Sequence, residues 1–301
     1  MKRIVRWLGI GFGAITGLGI LLAGIVYGVS NYRLHQVHTF IDTPRLTFST
    51  DSITLARGAH IANSYGNCTY CHGDDLGGRL YPYGGPMIVA SASNLTRGRG
   101  GVSAAFTDED WIRSIRHGIH KDGTSMILMP SEVFVKLTKG DLSALVSYLK
   151  QLPPVDRQLP QSNLLPLGRA LLTAGKFKIL VAEKTPDLPL TEDISPQDTL
   201  AYGRYLADIS GCLGCHGKTL AGGERHGPPG TPLTPNLTPA GRVHTWSETQ
   251  FRHVLRTGQR PDGTILDTSM PWQTAGQMSD SELHAIWQYL RSVPPLPYGS
   301  R

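Results

Sequence analysis

The sequence lacks the short motifs that identify most catalytic centres. It has no glycine-rich nucleotide-binding loop, no nucleophile elbow and no metalloprotease motif. Charged residues are also scarce and make up only 17% of the chain. Half of the formal net charge of +6 comes from Lys2, Arg3 and Arg6. The remainder is nearly neutral, so the sequence gives no indication of a nucleic-acid partner.

Cysteine is scarce as well, and all of it lies in two short segments. The 4 cysteines occur in Cys68-Thr69-Tyr70-Cys71-His72 and in Cys212-Leu213-Gly214-Cys215-His216. Two cysteines three positions apart, followed at once by histidine, form the attachment pattern of c-type haem. Each thiol bonds to a vinyl group as a thioether, and the histidine is the proximal iron ligand. A disulfide or a zinc site is the alternative, but zinc patterns usually separate their ligand pairs by a longer loop.

The sequence therefore predicts two covalent haem c groups, one for each motif. The predicted haem-binding residues are Cys68, Cys71, His72, Cys212, Cys215 and His216.

Charged residues are absent from Trp7 to Ser30, a run rich in aliphatic residues and glycine. As a helix it would span about 35 Å, enough to cross the hydrocarbon core of a bilayer. A cleaved signal peptide is the alternative, but the run is long and no small-x-small cleavage site follows it. Basic residues precede it, so the positive-inside rule predicts a cytoplasmic N-terminus. Since bacteria attach haem c outside the cytoplasm, we expect a single-pass inner-membrane protein with periplasmic haem domains.

Most of the remaining chain is an internal duplication. Leu55-Ala56-Arg57-Gly58 corresponds to Leu200-Ala201-Tyr202-Gly203, and each segment opens an amphipathic helix that leads to a haem motif. Each haem motif is then followed by a glycine-rich loop, Asn-Leu-Thr, a second helix, Asp-Gly-Thr, Met-Pro and a closing helix. Four helix starts have capping-box spacing: Thr107 with Asp110, Ser247 with Gln250, Thr138 with Asp141, and Ser279 with Glu282.

The closing helices are expected to pack against the opening ones. Tyr148, Trp287 and Tyr289 stand on the closing helices, and Gly58 and Gly203 would permit a close approach.

Methionine is the natural candidate for the second axial ligand of each iron. Met129-Pro130 and Met270-Pro271 lie in equivalent loops, and a thioether sulfur stabilises ferrous iron. The predicted axial pairs are His72 with Met129 and His216 with Met270. Met126 is an alternative to Met129, whereas Met270 has no competitor in its loop. His117, His120, His226 and His244 would allow bis-histidine ligation or distal acid–base chemistry, although surface or hydrogen-bonding roles are commoner for histidine.

The predicted organisation is an anchor (1–30), a tether (31–50) containing Pro44, a first haem domain (51–155), a linker (156–195) and a second haem domain (196–297). The linker is expected to contain a helix from Leu167 to Glu183. Its apolar stripe is bordered by Arg169, Lys176, Lys178 and Lys184. It could rest on the membrane surface, on a partner or on its own domains, and the last is favoured.

The order of these motifs resembles the class I cytochrome c domain, twice over, across residues 50 to 155 and 196 to 296. It is similar in particular to the membrane-bound cytochrome c subunits that accept electrons from periplasmic alcohol, aldehyde or gluconate dehydrogenases. This sequence carries two haem motifs, whereas those subunits commonly carry three.

The resemblance implies an all-α fold of two tandem class I cytochrome c domains after one transmembrane helix. It implies electron transfer, without independent catalysis, from a periplasmic dehydrogenase or other donor to a membrane or soluble acceptor of the respiratory chain. Two alternatives remain. One is a dihaem enzyme, such as a peroxidase or sulfur-compound dehydrogenase, with one open or displaceable haem ligand. The other is a structural cytochrome subunit of a respiratory complex.

Overall fold

The computed structural model describes residues 2–40, 45–81, 85–226 and 230–301, so Pro44 of the predicted tether lies outside the described residues. Most of the regular structure is helical. The α-helices of this part of the chain are α1 (Lys2–Leu34), α2 (Ser52–Asn63), α3 (Cys68–His72), α4 (Asp108–His117), α5 (Ser131–Phe134), α6 (Lys139–Lys150), α7 (Pro166–Thr173), α8 (Thr199–Ile209), α9 (Cys212–His216), α10 (Glu248–Thr257), α11 (Trp272–Ala275) and α12 (Asp280–Ser292).

A small antiparallel sheet qualifies the all-α prediction. Strands β1 (Arg79–Tyr81), β2 (Ile88–Ala92) and β3 (Asn163–Leu164) pair in that order. The first two lie between the glycine-rich loop and Asn-Leu-Thr of the first repeat, and β3 comes from the predicted linker. The fold is therefore rich in helix with a minor sheet, and strands this short give little local sequence signal.

Three of the four predicted capping boxes are confirmed. Thr107 with Asp110, Ser247 with Gln250, and Ser279 with Glu282 each exchange both hydrogen bonds at the start of α4, α10 and α12. The fourth prediction is only half right. The Thr138 hydroxyl accepts the N–H of Asp141, but the Asp141 carboxylate bonds elsewhere, to Arg57, Tyr65 and Tyr205.

In each repeat the opening and closing helices cross at a glycine, as the sequence predicted. A Cβ added to Gly58 would lie 2.1 Å from the carbonyl oxygen of Ala144, and one added to Gly203 would lie 2.0 Å from that of Ala285. Both distances are far below van der Waals contact, so only glycine allows this backbone approach. Tyr148 of α6 and Tyr289 of α12 pack beside the same glycines. The pairs α2–α6 and α8–α12 therefore form equivalent scaffolds.

The predicted linker packs on the first repeat, but its helix is shorter than expected. Helix α7 ends at Thr173, because Gly175 adopts a left-handed conformation with φ of 69°. The chain then turns back, so the prediction of a helix that continues to Glu183 was wrong. Residues of the sheet, α7 and the turn share a separate small core, formed by Ile88, Ala90, Leu164, Leu172, Ile179 and Leu180.

The two repeats join through one continuous hydrophobic core with related polar contacts on both sides. In the aligned repeats, His60 of α2 corresponds to Tyr205 of α8, and Asp141 of α6 corresponds to Glu282 of α12. His60 Nε2 lies 2.8 Å from a Glu282 carboxylate oxygen, and the Tyr205 hydroxyl donates to Asp141 at 2.6 Å. Each repeat thus sends a polar side chain from its opening helix to the first turn of the other's closing helix, as in a pseudo-twofold interface.

Replacing Gly203 with alanine should lower the free energy of unfolding by about 1–3 kcal/mol, the usual cost of overpacking a core. The new methyl group would push α8 away from the carbonyl of Ala285. Guanidinium unfolding of the haem-loaded protein measures this loss. Leu200→Ala is the control, because Leu200 lies on the same helix and is 50% exposed. Equal stability of the Gly203→Ala variant and the parent protein would contradict the close packing.

The stability of the interface should depend on pH through His60. The hydrogen bond to Glu282 raises the pKa of His60 above 6.5. Burial opposes ionisation of Glu282, but the bond from His60 lowers its pKa below 4.5. A histidine whose pKa is higher in the folded than in the unfolded protein adds stability that is fully present below its unfolded-state pKa. This stability is lost as the pH rises through its folded-state pKa. The ion pair should therefore stabilise the protein most between about pH 4.5 and 6.5.

We expect His60→Gln to lower the free energy of unfolding at about pH 5.5 and to have little effect at about pH 9. Denaturant unfolding across this range checks the difference between variant and parent. His244→Gln is a matched control, because the His244 side chain is exposed. A difference that does not change with pH would show that the His60 contact is not ionic.

Candidate functional site

The two Cys-x-x-Cys-His segments form equivalent short helices, α3 and α9. Each helix follows a residue in the left-handed conformation, Asn67 with φ of 53° and Gly211 with φ of 78°. Residues three apart lie on the same face of a helix, so each motif presents its two sulfur atoms side by side. None of these four cysteines forms a disulfide, which excludes the disulfide alternative. Burial raises the pKa of both Cys68 and Cys212 to about 12, so these thiols are protonated at neutral pH.

The histidine of each motif is fixed by a main-chain carbonyl. His72 Nδ1 lies 2.7 Å from the carbonyl oxygen of Ser93, and His216 Nδ1 lies 2.9 Å from that of Pro235. A carbonyl oxygen only accepts, so Nδ1 carries the proton and Nε2 keeps its lone pair. Burial lowers the pKa of both histidines, which keeps the rings neutral. Both side chains are therefore prepared to donate Nε2 to a metal.

The glycine-rich loops close on the haem motifs in the same way in both repeats. The N–H of Gly78 donates to the carbonyl oxygen of His72 at 2.8 Å, and that of Gly222 donates to His216 at 2.9 Å. Both glycines have positive φ, and a Cβ at either one would lie within 2.5 Å of a carbonyl oxygen. The loops therefore require glycine at these two positions.

The Asn-Leu-Thr segments hold the acceptor carbonyls in place. Asn94, next to Ser93, donates from Nδ2 to the carbonyl oxygen of Val155 at 2.7 Å. In the second repeat Asn236, next to Pro235, donates to the carbonyl oxygen of Leu296 at 2.8 Å. The asparagine Oδ1 accepts the N–H of the threonine two residues later in both repeats.

These asparagines connect each histidine acceptor to the chain that follows the closing helix. Sequence reasoning found the Asn-Leu-Thr repeat but not this function. The recurrence of Asn94 and Asn236 directly after the histidine acceptors was the available signal, and their bonding partners lie about sixty residues further on.

The Met-Pro segments have matching geometry. Pro130 and Pro271 cap the short helices α5 and α11, with φ and ψ of −83° and 52° in the first repeat and −78° and 56° in the second. The side chains of Met129 and Met270 both pack partly buried against the shared core. The two methionines therefore occupy equivalent places.

Met126 corresponds to a different residue of the second repeat. The N–H of Met126 donates to the carbonyl oxygen of Gly118 at 2.7 Å. In the second repeat the N–H of Leu266 donates to the carbonyl oxygen of Gly258, also at 2.7 Å. Gly118 and Gly258 are the equivalent residues that end α4 and α10. Met126 is thus the counterpart of Leu266, whose side chain has no ligand chemistry.

The remaining candidate histidines lie in other surroundings. His117 is buried and stacks on Phe40 with ring centroids 4.7 Å apart. Burial lowers the pKa of His120. His226 is exposed with its Nε2 3.1 Å from Glu224, and His244 is exposed in a 3-10 helix. In the part of the chain that the structure describes, no three His, Cys, Asp or Glu side chains form a metal-binding group by themselves.

The residues present fit a covalently bound haem. Each repeat offers two thiols and a neutral imidazole with a free Nε2, which is the donor set that haem c requires. A thioether lies in an equivalent loop of each repeat. Buried indole N–H groups of Trp111 and Trp272 have no hydrogen-bond partner within the described residues, which leaves them available to a polar group of a bound molecule. Fold and site together define a cytochrome c-type protein.

A family comparison agrees. Residues 54–149 and 199–290 match the model described as cytochrome c oxidase, cbb3-type, subunit III. These two matches cover more than half of the chain, so the chain belongs to this family of cytochrome c domains, which bind haem c covalently.

Curated relatives are cytochrome subunits of dehydrogenases, in agreement with the resemblance expected from the sequence. The alcohol dehydrogenase (quinone) cytochrome c subunit of Gluconacetobacter polyoxogenes is 28% identical over 280 residues, covering 83% of this chain and 58% of the relative. The fructose dehydrogenase cytochrome subunit of Gluconobacter japonicus is 26% identical over 268 residues, covering 80% and 53%. The gluconate 2-dehydrogenase cytochrome c subunit of Pantoea cypripedii is 28% identical over 120 residues, covering 37% and 27%. The chain thus spans little more than half the length of the first two.

Proposed function

We propose that this protein carries electrons through two covalently bound haem c groups, one in each repeat. The main support is the duplicated histidine geometry, in which Nδ1 donates to a carbonyl and Nε2 is free, beside two thiols. When bound, haem c supplies an iron that takes up and releases a single electron. Cys68 and Cys71 hold the first haem and Cys212 and Cys215 the second, in domains of residues 51–155 and 196–297.

His72 with Met129, and His216 with Met270, are the proposed axial pairs. The carbonyls of Ser93 and Pro235 orient the imidazoles, since they fix the tautomer with Nε2 unprotonated. The equivalence of the two Met-Pro segments supports Met129 over Met126 in the first repeat.

A second ligand on both irons favours electron transfer over the dihaem-enzyme alternative. A peroxidase or sulfur-compound dehydrogenase needs one open or displaceable position on its iron. Since the first repeat presents its methionine on the same local structure as the second, nothing singles out one haem as open.

The proposed donor is a periplasmic dehydrogenase, and the proposed acceptor is a component of the respiratory chain. This rests on the names of the relatives, which are cytochrome subunits of alcohol, fructose and gluconate dehydrogenases. Helix α1 is long and apolar enough to cross a membrane, and its apolar stretch is not buried in the protein. We infer that it anchors the chain in the bacterial inner membrane, with the N-terminus in the cytoplasm and both haems in the periplasm.

Met270→Ala should lower the midpoint potential of one haem and remove half of the long-wavelength charge-transfer absorption of methionine-ligated ferric haem. The thioether stabilises ferrous iron, so its loss favours the ferric state. Met129→Ala should do the same to the other haem. Redox titration followed by absorption spectroscopy measures both effects, and a pyridine haemochrome assay should give two haems per chain.

Met126→Ala is the matched control and should leave the potentials and the absorption band unchanged. If the band survives the combined Met129→Ala and Met270→Ala replacement, the ligand assignment is wrong. A haem content other than two would contradict the attachment sites.

The full chain, purified from its own membranes in mild detergent, should retain a dehydrogenase subunit. Addition of that enzyme's substrate should then reduce both haems, because the donor is part of the complex. Mass spectrometry of the retained proteins and the absorption of the reduced haems test this expectation. Recovery of oxidase subunits without a dehydrogenase would favour the alternative of a structural cytochrome subunit.

A further inference from the structure

The end of α1 is fastened to the segment between the repeats. The Thr173 hydroxyl donates to the carbonyl oxygen of Val26 at 3.3 Å, and the Arg169 guanidinium donates to Asn31 Oδ1 at 2.6 Å. Arg33 of α1 pairs with Glu183 and also donates to the carbonyl oxygen of Leu172 at 2.6 Å. These bonds fix α7 relative to the membrane helix.

The same bonds give the direction of α7. Its early residue Arg169 lies beside Asn31, and its last residue Thr173 lies beside Val26, which is closer to the N-terminus of α1. The two helices are therefore antiparallel, and the C-terminal end of α7 points back along α1, toward the membrane.

The depth of this end follows from the length of the apolar run. From Trp7 to Val26 there are about 20 helical residues, which span about 30 Å, the thickness of the hydrocarbon core. Val26 therefore lies near the outer limit of the hydrocarbon, and residues beside it lie at the level of the lipid headgroups. Tyr27, whose ring centroid lies 5.1 Å from the guanidinium carbon of Arg169, is at the same level. Aromatic side chains are commonly found at this level of a membrane.

The end of α7 is a rigid turn that carries two lysines. The N–H groups of Lys176 and Phe177 donate to the carbonyl oxygen of Leu171 at 2.9 and 3.2 Å, and the N–H of Gly175 donates to that of Leu172. Together with the left-handed Gly175, this is a Schellman cap. We call residues 174–178 the α7 tip.

Lys176 and Lys178 are the charged residues of the α7 tip. Both side chains are exposed, and neither has an ion-pair partner among the described residues. The neighbouring basic groups are already engaged: Arg33 with Glu183, and Lys184 with Glu132 at 2.9 Å. The α7 tip therefore presents positive charge that nothing else in the described structure neutralises.

We propose that the α7 tip binds the headgroups of anionic phospholipids on the outer face of the membrane. Their phosphates complement the two lysines at the depth where α1 places them, and a lysine near an anionic surface gains binding energy from it. This rests on the proposed function only in that α1 must be a retained membrane helix. The contact would hold the first haem repeat in one orientation, because the tip shares a core with the sheet of that repeat.

The test compares the haem-loaded full chain in nanodiscs of phosphatidylcholine alone and of phosphatidylcholine with phosphatidylglycerol. Hydrogen exchange of a peptide covering the α7 tip should be up to about thirtyfold slower in the anionic discs, as expected for two lysines at such a surface. The difference should shrink at high salt, because salt screens the attraction. In the Lys176→Gln, Lys178→Gln double variant the two discs should give the same exchange rate.

The matched control removes the same charge elsewhere, with Arg97→Gln and Lys218→Gln, two exposed residues without an ion pair among the described residues. This variant should keep the full effect of anionic lipid. Equal exchange of the parent protein in both discs, or an equal loss of the effect in the control, would overturn the proposal. So would slow exchange that appears only after a protein partner is added.

Failure of the chain to enter either kind of disc would overturn the membrane anchoring and this proposal together. A purified chain that shows the lipid effect but carries no haem c would instead contradict the electron-transfer function alone.

Discussion

The backbone contact between opening and closing helices is the constraint on which the rest of each repeat depends. At Gly58 and Gly203 the helices approach so closely that a methyl group has no room. This approach sets where the closing helix ends and therefore where Val155 and Leu296 lie. Their carbonyls accept from the asparagines, and the residue before each asparagine holds the histidine. The packing of the two helices thus determines, through two hydrogen bonds, the position of the candidate iron ligand.

The two repeats share this internal design but differ at their interface. Asp141 is fully buried and accepts from Arg57, Tyr65 and Tyr205, whereas its counterpart Glu282 faces His60. One side of the pseudo-twofold interface therefore involves tyrosine hydroxyls, which stay protonated because burial raises the pKa of Tyr65 and Tyr205. The other side depends on a histidine, His60, whose pKa is raised by its hydrogen bond to Glu282. Only the latter contact responds to pH in the ordinary range.

Much of this architecture could be predicted from local sequence, and the part that could not depends on distant contacts. Capping boxes and left-handed glycines are decided within a few residues, so the starts of α4, α10 and α12 were predictable. The haem motifs and the duplication were equally visible. The early end of α7 had a local signal in Gly175, which the prediction of a helix to Glu183 overlooked. The strand β3 was missed because it needs a partner some seventy residues away. Asp141 was misjudged for a similar reason, since residues of another helix and of the other repeat compete for its carboxylate.

The β1–β2 hairpin and the linker explain why the repeats are not interchangeable. Strand β2 of this hairpin in the first repeat pairs with β3 of the linker, and the linker in turn is bonded to the end of α1. In the described chain these contacts connect α1 to the first repeat, and the second repeat is joined through the shared core and the His60 and Tyr205 contacts. An orientation imposed on α1 by the membrane would therefore pass first to the haem site at His72 and then, across the interface, to the site at His216.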